Sequence, residues 1–74
     1  MTRLPRLKGK EIAAILRKFG FEIIRQRGSH IYLRHPDGRT TVVPVHTSEI
    51  IGPGLMHKIL TDTEIDRDDF IKFI

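Results

Sequence analysis

Residues 21–46 read FEIIRQRGSHIYLRHPDGRTTVVPVH, and this stretch decides the fold. Gly28-Ser29 and Pro36-Asp37-Gly38 interrupt it as turns, because Pro presets φ and Gly tolerates a positive φ. The segments between these turns are rich in β-branched and aromatic residues, which predicts strands at 21–27, 30–35 and 40–46. Short connections favour an antiparallel sheet of three strands. Pro44 lacks an N–H, so we expect the third strand to lie at an edge or to end at a bulge.

Helical periodicity precedes and follows the sheet. Apolar residues recur at helical spacing from Lys8 to Phe19, and Gly20 suits the left-handed position that ends a helix. After a loop at 47–52, Pro53 can open a second helix. The apolar stripe predicted for this second helix consists of Leu55, Met56, Ile59 and Leu60.

The last residues predict a short third helix. Asp66 is a suitable N-cap, and Phe70, Phe73 and Ile74 would be its buried residues. The predicted fold is therefore α+β, with both main helices covering one face of the sheet. We expect a single domain over residues 1–74, in which 1–7 form a loose lead-in because Pro5 disfavours helix before it.

Length and composition exclude several classes of protein. Seventy-four residues allow one small domain, and neither a Rossmann nor a P-loop fingerprint is present. The chain has no Cys, which excludes disulfides, thiolate zinc sites and a thiol nucleophile. No apolar run approaches the roughly 20 residues of a membrane span, and the first residues lack the apolar stretch of a signal peptide. We therefore expect a cytoplasmic protein without a membrane partner.

Charge is segregated along the chain. Residues 1–46 hold ten Lys and Arg against three Asp and Glu, a net of +7, whereas 47–74 hold three against six, a net of −3. This asymmetry favours a polyanion or an acidic protein as the partner of the N-terminal two-thirds. A soluble basic domain with no such partner has the same composition, so charge alone leaves both interpretations open.

The outer face of the second strand carries candidate functional residues. Alternation places His30, Tyr32 and Arg34 on one side, with Arg25 and Arg27 on the neighbouring strand. A tyrosine ring can stack on a base, and a guanidinium can bind a phosphate. A histidine can transfer protons near neutral pH, although most surface histidines are not catalytic.

The chain as a whole resembles the HicA family of bacterial toxins, also described as YcfA-like. The resemblance covers nearly the whole chain in the right order. It rests on Gly9-Lys10-Glu11, Gly20-Phe21, Gln26-Arg27-Gly28-Ser29-His30, His35-Pro36-Asp37-Gly38-Arg39, Val43-Pro44-Val45-His46 and Pro53-Gly54.

This resemblance implies a fold similar to the double-stranded-RNA-binding domain, α-β-β-β-α. It implies a toxin that cleaves mRNA, in which the histidine of Gly-Ser-His, here His30, is catalytic. It further implies a HicB-like antitoxin partner that covers the active surface. The family has Thr, Leu and Arg where this chain has Leu55, Met56 and His57, so any RNA contact made by that Arg would be weaker here or shared with Lys58. The family's glycine after the second helix is replaced near Glu64, which leaves the path to the last helix open.

RNA supplies its own nucleophile, the 2′-hydroxyl. An imidazole at position 30 could act as the base, or as the acid that protonates the leaving 5′ oxygen. Gly28 would let the backbone approach a phosphate and Ser29 could donate a hydrogen bond, although the pair also forms a plain turn. The developing charge at phosphorus needs cationic donors, for which the candidates are Lys10, Arg25, Arg27 and Arg34.

A second acid or base is not identifiable from the sequence. His46 could approach His30 or lie elsewhere, whereas His35 points to the opposite face and His57 lies on the second helix. The four His are not accompanied by clustered Asp, Glu or Cys, a pattern that argues against a metal site. We therefore expect no cofactor, and we expect that a chelator does not inhibit cleavage. The alternative is a non-catalytic RNA-binding module of the same fold.

Overall fold

The computed structural model describes residues 6–46 and 49–74. The chain forms a helix, three strands and two further helices, which confirms the predicted α+β fold. Their bounds are α1 Gly9–Lys18, β1 Glu22–Arg27, β2 His30–Arg34, β3 Thr40–Pro44, α2 Pro53–Thr63 and α3 Arg67–Ile71. Residues 1–5 of the predicted lead-in and 47–48 of the predicted loop lie outside the described residues. Leu7 is buried, and its carbonyl accepts a hydrogen bond from the Ile51 N–H at 2.9 Å.

Helix α1 packs an apolar stripe against the sheet. Ile12 and Leu16 are fully buried, and burial of such a side chain stabilises the fold by about 1.5–3 kcal/mol. The helix ends in a Schellman motif, because Gly20 has φ +96° and the Phe21 N–H donates to the Leu16 carbonyl at 3.1 Å. Gly20 thus terminates the helix as predicted.

The sheet is antiparallel in the order β1-β2-β3, so β2 lies in the middle and β3 at an edge, as Pro44 predicts. Ile31 and Leu33 of β2 and Val43 of β3 are buried beneath the helices. The alternate residues face away from the helices. We call this second surface the outer face.

All six residues of strand β1 are exposed, so this strand contributes no side chain to the core. It departs from regular pairing at Ile24, the extra residue of a bulge between Ile23 and Arg25. Simple alternation would place Ile23 and Arg25 on the same side. The bulge separates them: Ile23 pairs with inward-facing Leu33, and Arg25 pairs with outward-facing Tyr32.

The C-terminal elements follow the prediction until the last residues. The Asp66 side chain caps α3 by accepting the Asp68 N–H at 3.1 Å, and Phe70 is fully buried. Burial of Phe73 and Ile74 was a wrong prediction, since they are 43% and 53% exposed. The reason is that α3 ends at Ile71, so neither residue lies on the helix.

Candidate functional site

The hairpin turn between β1 and β2 determines where His30 lies. Gly28 and Ser29 form a two-residue loop between paired Arg27 and His30. Gly28 has φ +54° and Ser29 does not have a positive φ, and these signs match a type II′ turn, whose twist suits a hairpin. A Cβ on Gly28 would meet nothing within 4 Å. Backbone at this turn is therefore open to a ligand.

His30 is the first residue of β2 and is exposed on the outer face. Its neighbour on β1 is Arg27 and its neighbour on β3 is Pro44. Directly opposite residues of antiparallel strands have Cβ atoms about 4.5–5.5 Å apart. The imidazole therefore has a guanidinium-bearing side chain beside it on the same surface.

Tyr32 lies next along the outer face. The guanidinium carbon of Arg25 lies 5.2 Å from the centre of the Tyr32 ring, within the range of a cation–π contact. On the other side Tyr32 pairs with Val42, which is 37% exposed. The ring is half-buried. These three side chains form a partly apolar surface beside His30 that can accept a planar ring.

Arg34 lies at the other end of the same strand. It pairs with Glu22 on β1 and Thr40 on β3. Its Cα is four residue steps along the strand from that of His30, a distance of about 13 Å. Arg34 shares the outer face with His30 but is not one of its neighbours.

Lys10 lies on a different layer. It is an exposed residue in the first turn of α1, which packs on the inner face of the sheet. The preceding residue, Gly9, packs tightly against the backbone of Pro44, since an added Cβ would overlap the Pro44 carbonyl oxygen. Lys10 is thus near the His30 end of β3 but is not on the outer face.

The other histidines occupy different surroundings. The Nδ1 of His35 accepts the Asp37 N–H at 3.1 Å, and its ring centre lies 5.2 Å from that of Phe21. His57 is exposed on α2. His46 is also exposed, with its Nδ1 3.8 Å from a Glu49 carboxylate oxygen. Of these three, His35 is the one whose hydrogen bond and ring contact mark it as a structural residue, and it lies at the end of the sheet remote from His30.

Sequence reasoning missed the role of Arg39. Its Nε donates to both carboxylate oxygens of Asp37, at 3.1 and 2.8 Å, and its guanidinium donates to the Thr63 carbonyl at the end of α2. The carbon of that guanidinium also lies 5.2 Å from the Phe21 ring centre. Hydrogen bonds from Arg39 lower the pKa of Asp37 below its usual value. Arg39 therefore joins the turn to α2, a contact that sequence spacing does not reveal.

Two further properties concern the described residues only. None of the helices in residues 6–46 and 49–74 has both the length and the apolar character needed to cross a membrane. Over the same ranges, no three His, Asp or Glu side chains cluster as metal ligands would.

Comparison with known proteins gives one family match. The model of a family described as the HicA toxin of bacterial toxin–antitoxin systems matches residues 9–65. The matched range begins at the first residue of α1 and ends just after α2, so it contains the whole sheet. A comparison with curated proteins found no match.

Proposed function

The chain belongs to the HicA toxin family of bacterial toxin–antitoxin systems, and on this basis we propose that it is an endoribonuclease that cleaves mRNA. The active surface is the outer face of the sheet, and His30 is the residue that transfers a proton. One observation carries this proposal: His30 is exposed on the outer face with Arg27 directly opposite. A proton-transferring group and a cation are thus adjacent where RNA can approach.

The reaction needs no external nucleophile. The ribose 2′-oxygen attacks the adjacent phosphorus, forming a P–O2′ bond while the P–O5′ bond breaks. The 2′-hydroxyl proton must leave, and the 5′ oxygen must gain a proton. An imidazole at position 30 can perform one of these transfers, which contributes typically 10²–10⁴-fold to the rate. The products are a 2′,3′-cyclic phosphate and a 5′-hydroxyl.

Cationic side chains of the outer face would stabilise the charge that develops at phosphorus. Arg27 is the nearest by pairing, so we assign it to the scissile phosphate. Arg34, about 13 Å along the strand, would contact a phosphate farther along the RNA. The turn at Gly28 and Ser29, in which Gly28 is exposed, would admit the backbone of the RNA close to His30.

Tyr32 and Arg25 would hold a base. Their cation–π contact presents a ring and a guanidinium plane together, and single-stranded RNA is commonly bound by stacking on such groups. Lys10 would act only at the periphery, because it lies on α1 rather than on the outer face. Lys58 is paired with Asp62 at 2.8 Å, so we do not assign it to the RNA.

The family implies an antitoxin partner. We infer a HicB-like antitoxin that covers the outer face and thereby blocks access to His30. Because mRNA is the substrate, the protein would act in the cytoplasm.

No metal takes part in the proposed mechanism, so EDTA should leave the rate of cleavage unchanged. Loss of activity in EDTA that a divalent ion restores would contradict this mechanism.

Expression in bacteria without the antitoxin tests the proposal. Wild type should arrest growth, and His30→Ala should not. His57→Ala is the matched control, since it removes an exposed imidazole on α2 and should arrest growth like wild type. The soluble amount of His30→Ala must equal that of wild type. Equal arrest by wild type and His30→Ala would favour the non-catalytic RNA-binding module instead.

A further inference from the structure

His46 lies just beyond β3, and the β2–β3 pairing extends to the residue before it. The Val45 N–H donates to the Ser29 carbonyl at 2.6 Å, which continues the register that pairs His30 with Pro44. This bond makes Ser29 and Val45 a hydrogen-bonded pair, so His30 and Pro44 form the non-hydrogen-bonded pair next to it. The missing N–H of Pro44 therefore costs no ladder hydrogen bond.

The side-chain alternation of β3 also continues. Thr41, Val43 and Val45 are buried, at 4%, 0% and 8% exposure, whereas His46 is exposed. Because successive side chains of an extended chain point to opposite sides, His46 falls on the side of Pro44, the outer face. It is then the diagonal neighbour of His30, about 7–8 Å away between Cα atoms.

Helix α1 supports the backbone at this point. Gly9 packs so closely on Pro44 and Val45 that a Cβ there would lie 3.1 Å from the Val45 Cα. The chain that leads into His46 is thereby held from the inner side. A side chain on a supported backbone can be positioned for chemistry more accurately than one on an unsupported loop.

The charges beside the two rings have opposite signs. Glu49 places a carboxylate oxygen 3.8 Å from the His46 Nδ1, and Arg27 lies opposite His30. A nearby carboxylate can restrain the orientation of the imidazole it faces, and a guanidinium can hold a phosphate beside the other ring. The arrangement therefore places His30 beside the phosphate assigned to Arg27 and a second imidazole, His46, next to it.

We propose that His46 is the general acid of the cleavage reaction and that His30 is the general base. This assignment rests on the proposed function. The 2′-hydroxyl proton passes to His30, the P–O2′ bond forms, the P–O5′ bond breaks, and the proton of the His46 imidazolium passes to the leaving 5′ oxygen. His46 is then left neutral and His30 charged, so solvent exchange restores both.

A modified RNA tests the acid role directly. One arm uses an ordinary RNA oligomer, and the other uses the same oligomer with sulfur in place of the 5′ oxygen at the cleaved linkage. A thiol has a pKa near 8.5, far below that of water or an alcohol, so a sulfur leaving group departs without protonation. The enzymes compared are wild type, His30→Ala, His46→Ala and the control His57→Ala.

We expect His46→Ala to cleave ordinary RNA at least about 100-fold more slowly than wild type. On the sulfur-containing RNA it should regain a rate within about threefold of wild type, whereas His30→Ala should remain slow. His57→Ala should match wild type on both substrates. Circular dichroism of His46→Ala should be unchanged, because the residue is exposed.

Other outcomes overturn the assignment. A normal rate of His46→Ala on ordinary RNA would exclude a catalytic role. An equal loss on both substrates would show that His46 binds or positions rather than protonates. Rescue of His30→Ala by the sulfur linkage would make His30 the acid. Failure of wild type to cleave either RNA would refute the proposed nuclease itself, a result distinguishable from loss confined to His46→Ala.

Discussion

Gly9 shows how a single residue joins the helical layer to the sheet. A Cβ at this position would overlap the carbonyl oxygen of Pro44, a backbone atom that a side-chain movement cannot relieve. We predict that Gly9→Ala lowers the free energy of unfolding by about 1–3 kcal/mol, as overpacking typically does. Urea denaturation measures this change.

Gly54 provides the matched control. It lies in the first turn of α2, and a Cβ there would meet nothing within 4 Å. Gly54→Ala should therefore stabilise the protein by up to about 1 kcal/mol, because Ala is the better helix former. Opposite signs for the two substitutions support the close packing at Gly9; equal effects would contradict it.

Asp37 gives the fold a specific response to acid. Hydrogen bonds from Arg39 lower the pKa of this carboxyl in the folded state relative to the unfolded chain. The stabilisation is therefore fully present above the unfolded pKa of about 3.9 and is lost as the pH falls through the folded pKa. Asp37→Asn should reduce stability at pH 7 and should flatten the decline of stability below about pH 4.

The comparison for this prediction is Asp68→Asn, since the structure describes no side-chain hydrogen bond or ion pair for the Asp68 carboxylate. Free energies of unfolding are measured for all three proteins from pH 7 to pH 2. Wild type and Asp68→Asn should lose stability in parallel as the pH falls. A parallel curve for Asp37→Asn would show that the contact with Arg39 contributes no pH dependence.

At the scale of elements, helix α2 ends at a residue, Glu64, whose backbone conformation is unfavourable for a side chain that has a Cβ. Glu64 caps the helix with φ +55° and ψ +34°, the left-handed conformation that glycine adopts most readily. A Cβ in this region costs about 1–2 kcal/mol of strain. A glycine variant removes that strain, but its unfolded chain is more flexible, which offsets part of the gain in stability. Glu64→Gly should therefore raise the free energy of unfolding by about 0.5–1 kcal/mol.

Glu64→Ala separates this backbone effect from the loss of a carboxylate. Alanine keeps the Cβ, so it should produce no such gain. A thermal melt of both variants is sufficient, because the expected gain corresponds to several degrees in a domain of this size. Equal stabilisation by Gly and Ala would mean that charge, not backbone conformation, limits stability here.

The individual elements were largely predictable, since each has a local cause. Periodicity and turn residues located all six, and the alternation of Ile31 and Leu33 predicted that His30 faces outward. The bulge at Ile24 was not predictable, because it depends on which residues pair across strands. The contact of Arg39 with Thr63 joins residues 24 positions apart, and no local pattern encodes it.

At the scale of the whole molecule, the sheet separates two functions. Its inner face packs the core, and its outer face combines side chains from two adjacent strands, Arg25 and Arg27 of β1 with His30, Tyr32 and Arg34 of β2. Each cation that contacts an RNA phosphate displaces a counterion, so binding should weaken as the salt concentration rises. For single strands, the logarithm of the association constant falls against the logarithm of the salt concentration with a slope of about −0.7 per contact.

Arg27→Ala tests this surface. A 2′-O-methyl RNA oligomer lacks the nucleophile, so its binding can be measured without cleavage. We predict that the substitution reduces the slope of log Kd against log salt by about 0.7. Arg17→Ala removes an exposed arginine of α1 on the opposite layer and should leave the slope unchanged. Equal effects of both variants would show that RNA is bound by net charge alone.

The measurement that tests the account most directly is the initial rate at which purified protein cleaves an RNA oligomer, compared between wild type and His30→Ala. Both must show the same thermal unfolding, so that any difference reflects chemistry. We predict a loss of at least about 100-fold on substitution of His30, with His57→Ala unaffected. Equal cleavage by wild type and His30→Ala would contradict it, because the exposed imidazole would then have no part in the reaction.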